Sequence, residues 1–199
     1  MRKILLSIAM LFASCIYTFA QAQDTLWTKY TYPTQINCVK FSPDGQFLYS
    51  GGSDGVPRKW NAMTGEQLDT FPSLQKPITN ISISDKFISF TNNLVSNIYY
   101  LTNDSLYGTL TGAIYKFTND NNFAIGGSLS GLSIFNINSL QLIKSINIGE
   151  LYALDLSSDN KIICVSVLGD TSTALRAYSY PELNYAPIPF ITVKGNLIY

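Results

Sequence analysis

The feature that most constrains the fold is an internal repeat. The segment "GGSDGVPRKWN" at 51–61 aligns without a gap with "GGSLSGLSIFN" at 126–136, and "FSPDGQF" at 41–47 matches "FTNDNNF" at 117–123. Weaker copies lie between and after them, "ISISDKFISF" at 81–90 and "LDLSSDNKIICVS" at 154–166. The two aligned copies are offset by 75 residues (126 − 51), or two units of about 37, which indicates a repeat architecture in which each copy is one supersecondary unit.

Each unit is predicted to hold four short strands joined by tight turns. The first unit has its turns at "PDG" (43–45), "DG" (54–55) and "MTG" (63–65). Pro, Asp and Gly favour such turns because Pro presets φ and Gly accepts a positive φ. A charged fraction of only 13%, with 13 Tyr and 11 Phe, also suits strands better than helices. The sequence therefore predicts an all-β chain of four-stranded antiparallel units.

The best-preserved unit, "INCVKFSPDGQFLYSGGSDGVPRKWNAMTGE" (36–66), resembles the WD-repeat β-propeller family. The resemblance implies a β-propeller of about four blades, at about 34–71, 76–110, 111–146 and 147–190, with partial strands at 26–33 and 191–199. Members carry a structural hydrogen-bonded set in each blade, to which Ser50, Asp54 and Trp60 correspond. The histidine of that set has no counterpart, because the chain contains none.

Two features leave the details of the propeller open. Pro57 lies in an expected interior strand, so that strand begins at Arg58 or blade 1 is distorted there. The two partial strands resemble the ends of a truncated propeller. The alternatives are an irregular ring of four or five blades closed by the tails, and an open arc completed by a second copy, since an open arc exposes strand edges.

The N-terminus is predicted to be a cleaved secretory signal peptide, residues 1–22. Arg2 and Lys3 precede an apolar run, and "AQA" (20–22) supplies a cleavage site. The mature domain would then span 23–199, be secreted or periplasmic, and have no stable membrane insertion. A membrane anchor and a lipoprotein acylated at Cys15 are the alternatives, although the apolar run is short for a spanning helix. Cleavage leaves Cys38 and Cys164, expected as buried free thiols in different blades.

Composition excludes several function classes. The absence of histidine removes Ser-His-Asp catalysis, His-ligated zinc and a histidine pH switch. The formal net charge is zero and no extended Lys/Arg cluster occurs, which argues against a nucleic-acid partner. We predict no cofactor, no metal site and no catalytic residue. The aspartates at the repeated turn, Asp44, Asp85, Asp120 and Asp159, are interpreted as turn-forming residues.

The resemblance implies a non-enzymatic interaction or scaffold module that binds a protein or peptide outside the cytoplasm. The alternatives are a secreted carbohydrate-active enzyme using paired carboxylates from Asp54, Glu150 and Asp170, and a remnant without independent function. In the resembled family, partners often dock on the loops before each first strand and between each second and third strand. Projected onto this chain, that face comprises Gln35, Asn37, Ser53, Thr79, Ser128, Glu150 and Tyr152.

Overall fold

The computed structural model describes residues 26–30, 34–128, 131–168 and 173–186, and its strands form four separate sheets. Blade 1 contains β1 (Ile36–Phe41), β2 (Phe47–Gly52), β3 (Arg58–Asn61) and β4 (Gln67–Thr70). Blade 2 contains β5 (Asn80–Ile83), β6 (Phe87–Thr91), β7 (Val95–Tyr100) and β8 (Leu106–Thr111).

Blade 3 contains β9 (Ala113–Phe117), β10 (Phe123–Ser128), β11 (Gly131–Asn136) and β12 (Gln141–Asn147). Blade 4 contains β13 (Glu150–Leu156), β14 (Ile162–Leu168), β15 (Thr173–Ser179) and β16 (Tyr185–Ala186). Every sheet is an antiparallel meander in sequence order. The predicted all-β fold of four-stranded blades is confirmed.

The blades follow one another through their first strands, because β1 contacts β5, β5 contacts β9, and β9 contacts β13. Each junction encloses an apolar cluster. Tyr49 and Phe71 of blade 1 pack on Ile88 and Phe90 of blade 2. Equivalent clusters join blade 2 to blade 3 and blade 3 to blade 4. Within the described residues, the core therefore consists of three layers between consecutive sheets, not of one central cluster.

The repeated turn between the first and second strands has one hydrogen-bond pattern in three blades. In blade 1, Ser42 Oγ donates to Asp44 Oδ1 at 2.5 Å, and that oxygen accepts from the Gln46 amide at 3.0 Å. Thr118 with Asp120 and Ser157 with Asp159 form the same bond at 2.5 and 2.6 Å. The interpretation of these aspartates as turn-forming residues is confirmed.

Blade 2 departs from this pattern because its turn is shorter. Only two residues separate Ser84 from Phe87, whereas four separate Ser42 from Phe47. Ser84 Oγ accepts directly from the amides of Lys86 and Phe87, at 3.3 and 3.0 Å. Asp85 therefore does not have the role of the other three turn aspartates.

Three further expectations concern the strand at Pro57, the two cysteines and a membrane-spanning helix. β3 begins at Arg58, which resolves the ambiguity at Pro57. Cys38 and Cys164 are free thiols in different blades, but both are half-buried instead of fully buried. Within the described residues, no helix is long and apolar enough to span a bilayer.

The predicted outer strand at 26–33 is not formed over residues 26–30. Trp27 instead holds this segment on blade 1, where its Nε1 donates to the Ala62 carbonyl at 2.8 Å. A Cβ built on Gly65 would lie 2.6 Å from the Trp27 ring, so only glycine allows this close approach. The predicted signal peptide, residues 31–33 and the predicted strand at 191–199 lie outside the described residues.

Candidate functional site: the loop face of blades 1 to 3

The predicted hydrogen-bonded set of blade 1 divides into two parts. Trp60 Nε1 donates to Ser50 Oγ at 2.8 Å, and both side chains are buried. The Asp54 carboxylate forms the second part. Arg58 donates to its Oδ2 at 2.6 Å, and the Val56 amide donates to its Oδ1 at 3.1 Å. Thr34, directly before β1, also donates to Asp54 Oδ2 at 3.3 Å. Arg58 and Thr34 therefore provide Asp54 with partners in a chain that has no histidine.

The environment of Asp54 does not suit acid catalysis. The Arg58 guanidinium beside it lowers the pKa of the Asp54 carboxyl below its usual value, against the opposing effect of burial. A general acid in a glycosidase needs a raised pKa instead. Glu150 is exposed at the start of β13, and Asp170 lies outside the described residues. Among the described residues, no group of His, Cys, Asp and Glu is arranged to hold a metal.

Four of the seven predicted face residues form one patch across the junction of blades 1 and 2. Gln35 and Ser53 form two hydrogen bonds with each other. The Ser53 amide donates to the Gln35 carbonyl at 2.8 Å, and the Gln35 amide donates to Ser53 Oγ at 3.1 Å. Asn37 Nδ2 donates to the Ile78 carbonyl at 3.0 Å, directly before Thr79. All four residues are exposed.

The other three predicted face residues lie on blades 3 and 4. Ser128 ends β10, where its backbone pairs with Gly131, and its side chain lies outside the described part of the chain. Glu150 and Tyr152 are exposed near the start of β13, and Tyr152 occupies a bulge between Leu151 and Ala153. Among the described side chains, neither Glu150 nor Tyr152 forms a direct hydrogen bond to the patch of blades 1 and 2.

A groove of about 500 Å³ opens between blades 2 and 3. Its walls come from the β6–β7 turn, the β8–β9 link and strands β10 to β12. These are the same classes of loop that contribute the predicted face in blade 1. The lining includes Leu94, Gly112, Phe135, Leu142, Ser133 and Ser145.

The link between β8 and β9, which lines the groove, is a single residue, Gly112. Gly112 has a φ of 118°, which only glycine adopts without strain, and a Cβ there would lie 3.3 Å from the Phe135 ring. By contrast, nine residues (71–79) connect β4 to β5. Gly112 thus approaches the Phe135 ring closely, and the buried ring lines the bottom of the groove.

The groove is electrically neutral and mainly apolar. None of its lining residues carries an ionisable side chain. Leu94 and Leu142 stand on its rim and are exposed, while Phe135 is buried below them. Ser133 and Ser145 contribute polar groups to the lining, and their hydroxyl oxygens lie 3.2 Å apart. Such a surface can accept an apolar side chain and offer one or two hydrogen bonds, but it cannot perform acid–base chemistry.

Sequence reasoning did not identify this groove. The predicted face named only Thr79 in blade 2 and Ser128 in blade 3, because it projected the register of blade 1 onto the other blades. The available signal was the spacing of strand-like segments around Gly112, which leaves no room for a loop. Phe135 could not have been found this way, because it corresponds to Trp60, which is a structural residue.

Four meander sheets joined through their first strands define the blades of a β-propeller. Residues 25–61 match the family model "WD domain, G-beta repeat" (WD40). Among curated proteins, a segment of 49 residues is 39% identical to the periodic tryptophan protein 2 homolog of Dictyostelium discoideum. That segment is 25% of this chain and 5% of the Dictyostelium protein.

Solved WD40 structures share the fold. The crystal structure of the RRP9 WD40 repeats superposes with a TM-score of 0.69 at 17% identity, and the structure of U3-55K with 0.70 at 17%. A chain of the mitotic checkpoint complex superposes with 0.70 at 15%. Each match covers 79% of this chain and 52% of the other, so the chain spans about half the length of these structures. The resemblance to the WD-repeat β-propeller family is confirmed, with divergent copies following the first repeat.

Proposed function

We propose that this protein is a non-enzymatic interaction module that binds an extended peptide segment of a partner protein in the groove between blades 2 and 3. The observation that carries the proposal is the groove itself, with exposed Leu94 and Leu142 above the Phe135 ring. WD-repeat proteins generally act as scaffolds, and one of the matched structures is a mitotic checkpoint complex, which is an assembly of proteins.

The size and polarity of the groove favour one or two apolar side chains of a peptide over a whole small molecule. Its volume is near the lower end of the range for ligand sites, roughly 300–1,000 Å³. Burying one Leu or Phe side chain there would contribute about 1.5–3 kcal/mol. The Ser133 and Ser145 hydroxyls could bond to the peptide backbone. The expected affinity is therefore modest, as in a site with a single anchor.

The polar patch formed by Gln35, Asn37, Ser53 and Thr79 is proposed as a secondary contact for the same partner. It is made by loops of the same class as those around the groove, and an apolar centre with a polar rim is the usual arrangement of an interface. Ser128, Glu150 and Tyr152 remain proposed contacts, and Tyr152 is the aromatic residue among them.

We also propose that the protein acts outside the cytoplasm. This rests on the sequence of residues 1–22 alone, which has the basic start, the apolar run and the cleavage site of a signal peptide. Intact mass and N-terminal sequencing of the exported product provide the test. A mature chain beginning at or near Gln23 supports the proposal. A product that keeps Met1, or that starts at a lipid-modified Cys15, contradicts it.

The enzyme alternative has less support. A carboxylate mechanism needs one carboxyl with a raised pKa and a second one within about 5–10 Å of it. Asp54 has the opposite shift and is paired with Arg58. Incubating the purified chain with a panel of polysaccharides, with Asp54→Asn as the control, separates the two classes. Hydrolysis by the wild type that is lost in the variant would favour the enzyme.

Panning of a random peptide library on the immobilised chain tests the proposed function directly. We expect selected peptides to share an apolar residue in an otherwise uncharged stretch, because the groove lining has no charged side chain that would favour charged peptides. A competing excess of one selected peptide should release the others. Recovery no greater than on a bare surface, or a consensus built on charged residues, would overturn the proposal.

A further inference from the structure

A single buried hydroxyl group holds the backbone that connects blade 2 to blade 3. Ser96, on β7, is fully buried, and its Oγ donates to the Gly112 carbonyl at 2.7 Å. The same oxygen accepts from the Ile114 amide at 2.9 Å. Gly112 is the whole link between β8 and β9, and Ile114 is the second residue of β9. Ser96 thus bonds to the chain on both sides of Ala113, where blade 3 begins.

The bonding partners of Ser96 fix the direction of its hydroxyl. Thr91 lies opposite Ser96 on β6, is also fully buried, and has its Oγ1 2.7 Å from Ser96 Oγ. A serine hydroxyl has one proton to donate and two lone pairs that accept. Because the Gly112 carbonyl can only accept, Ser96 donates to it, and Thr91 donates to Ser96. The Ile114 carbonyl, a second acceptor for Thr91 Oγ1, is farther away at 3.5 Å.

Within the described residues, this hydroxyl pair occurs only in the blade that is followed by the shortest link. One residue connects β8 to β9, whereas nine residues (71–79) connect β4 to β5 and two (148–149) connect β12 to β13. The equivalent positions lie three residues along each strand from Leu48 and Trp60 and from their counterparts. These positions hold Gly51 and Pro57 in blade 1, Gly127 and Leu132 in blade 3, and Ser166 and Leu175 in blade 4. The pair therefore accompanies the one-residue link and is not a general feature of the blades.

The bonded link forms part of the groove between blades 2 and 3. Gly112 lines the groove, and a Cβ there would lie 3.3 Å from the Phe135 ring. The Gly112 amide donates at 2.8 Å to the carbonyl of Leu94, which stands on the rim. Leu94 therefore holds the amide of Gly112, while Ser96 holds its carbonyl. A movement of the link would change the opening of the groove above Phe135.

We propose that Ser96, with its hydroxyl oriented by Thr91, is a positioning residue for the groove. It holds the Gly112 link at the distance from Phe135 at which the groove accepts an apolar side chain. This inference rests on the proposed function, because Ser96 is buried behind the lining and acts on a bound peptide only through Gly112. Without the hydroxyl, the Gly112 carbonyl and the Ile114 amide lose this partner, so the link opens more readily.

Ser89 provides a matched control for the test. It pairs across the sheet with Ile98, which belongs to the apolar cluster joining blades 2 and 3, so it lies on the same face of blade 2 as Ser96. Ser89 is also fully buried, but its Oγ has no hydrogen-bond partner among the described residues. Ser89→Ala therefore removes the same atom as Ser96→Ala without breaking a bond to the link.

Hydrogen exchange of the Ile114 amide, measured by NMR on the chain starting at Gln23, tests the hold on the link. Ser96→Ala should exchange this amide at least about tenfold faster than the wild type, because its acceptor is gone. The amide of Val165 in blade 4 should keep its rate, which would show that the opening is local. Ser89→Ala should exchange the Ile114 amide at the wild-type rate. Equally slow exchange of this amide in folded Ser96→Ala would overturn the proposal.

Thr91→Val serves as a second variant if Ser96→Ala does not fold. It keeps the shape of Thr91 but removes the hydroxyl that donates to Ser96. The Ile114 amide should then exchange a few times faster, because the Ser96 hydroxyl is no longer oriented toward Gly112 by a neighbour. An unchanged rate in this variant would overturn the role given to the hydroxyl pair.

Calorimetric titration with a panned peptide tests whether the hold on the link matters for binding. At a temperature where circular dichroism shows all variants to be folded, Ser96→Ala should bind the peptide about fivefold more weakly or worse. Ser89→Ala should bind like the wild type. Faster exchange with unchanged affinity in Ser96→Ala would overturn the positioning role and leave the groove as the binding site. A wild type that binds no panned peptide would instead overturn the proposed function, and this role with it.

Discussion

The indole nitrogen of Trp60 donates a hydrogen bond to Ser50 Oγ at 2.8 Å, between the second and third strands of blade 1. Both side chains are buried, so the bond satisfies two polar groups that water does not reach. The same two strands carry Leu48 and Arg58, and Arg58 in turn holds Asp54. Two side-chain bonds therefore fix β3 of blade 1, in place of the longer set that includes a histidine.

Replacing Trp60 should separate the packing contribution of this residue from its hydrogen bond. Trp60→Ala is expected to lower the free energy of unfolding by about 3–5 kcal/mol through the cavity it creates. Trp60→Phe keeps most of the volume but leaves the buried Ser50 hydroxyl without its donor, at a cost of about 1–3 kcal/mol. Urea unfolding of both variants measures the difference. A Trp60→Phe variant as stable as the wild type would show that the bond contributes nothing, and equal stability of the two variants would show that the ring packing contributes nothing.

The turn aspartates should make stability depend on acid. The Ser42, Thr118 and Ser157 hydroxyls lower the pKa of Asp44, Asp120 and Asp159 below 3.8. The unfolded chain therefore binds these protons first, and stability present above about pH 4 is lost as the pH falls through the lower folded pKa values. We expect the unfolding temperature of a triple variant, Asp44→Asn with Asp120→Asn and Asp159→Asn, to depend less steeply on pH than that of the wild type. Thermal unfolding between pH 2 and 6 measures this dependence.

Asp85→Asn is the control for this measurement. Its turn is closed by Ser84 alone, without a bond from the hydroxyl to a carboxylate. We expect its unfolding profile between pH 2 and 6 to follow that of the wild type. A change in slope as large as that of the other variants would mean that general surface charge, not the turn bond, causes the acid dependence.

The thiol of Cys38 should react slowly. Burial raises the pKa of Cys38 from 9.0 to about 11. At pH 9 only about 1% of the thiol is then ionised instead of half, so alkylation by iodoacetamide should be about 50-fold slower than for an ordinary thiol. Above pH 9 the unfolded chain loses this proton first, so stability should fall as the pH rises toward 11.

A Cys164→Ser variant of the chain starting at Gln23 carries Cys38 alone and is suited to this experiment. Its alkylation rate is measured against pH in buffer and again in urea. In urea the midpoint should return to the ordinary value, because the thiol is then in water. A midpoint near pH 9 in the folded protein would contradict the account of Cys38.

Much of the fold follows from residues that act locally. The turns at 43–45, 54–55 and 63–65 depend on Pro, Asp and Gly, whose preferences do not require knowledge of distant residues. Gly45, Gly55 and Gly65 all have positive φ in the structure. The hydroxyl and the aspartate two residues later recur in three blades, so repetition of the sequence predicts repetition of the turn.

The groove could not be predicted in the same way because it depends on relations between blades. Gly112 is informative only when β8 and β9 are known to belong to neighbouring sheets. Leu94 and Leu142 are far apart in sequence and meet only through the packing of blade 3 on blade 2. Likewise, the sequence shows Asp54 in the right turn, but not that Arg58 would draw its carboxylate away from the Trp60 side.

The most direct test of the central claim is the affinity of one panned peptide for two variants of β12. Leu142 and Ile143 are adjacent and similarly exposed, at 54% and 58%, but of the two only Leu142 lines the groove. Calorimetric titration should show that Leu142→Asp weakens peptide binding about tenfold or more, equivalent to about 1.4 kcal/mol. Ile143→Asp should bind like the wild type. Equal binding by the wild type and both variants would contradict the assignment of the groove as the binding site.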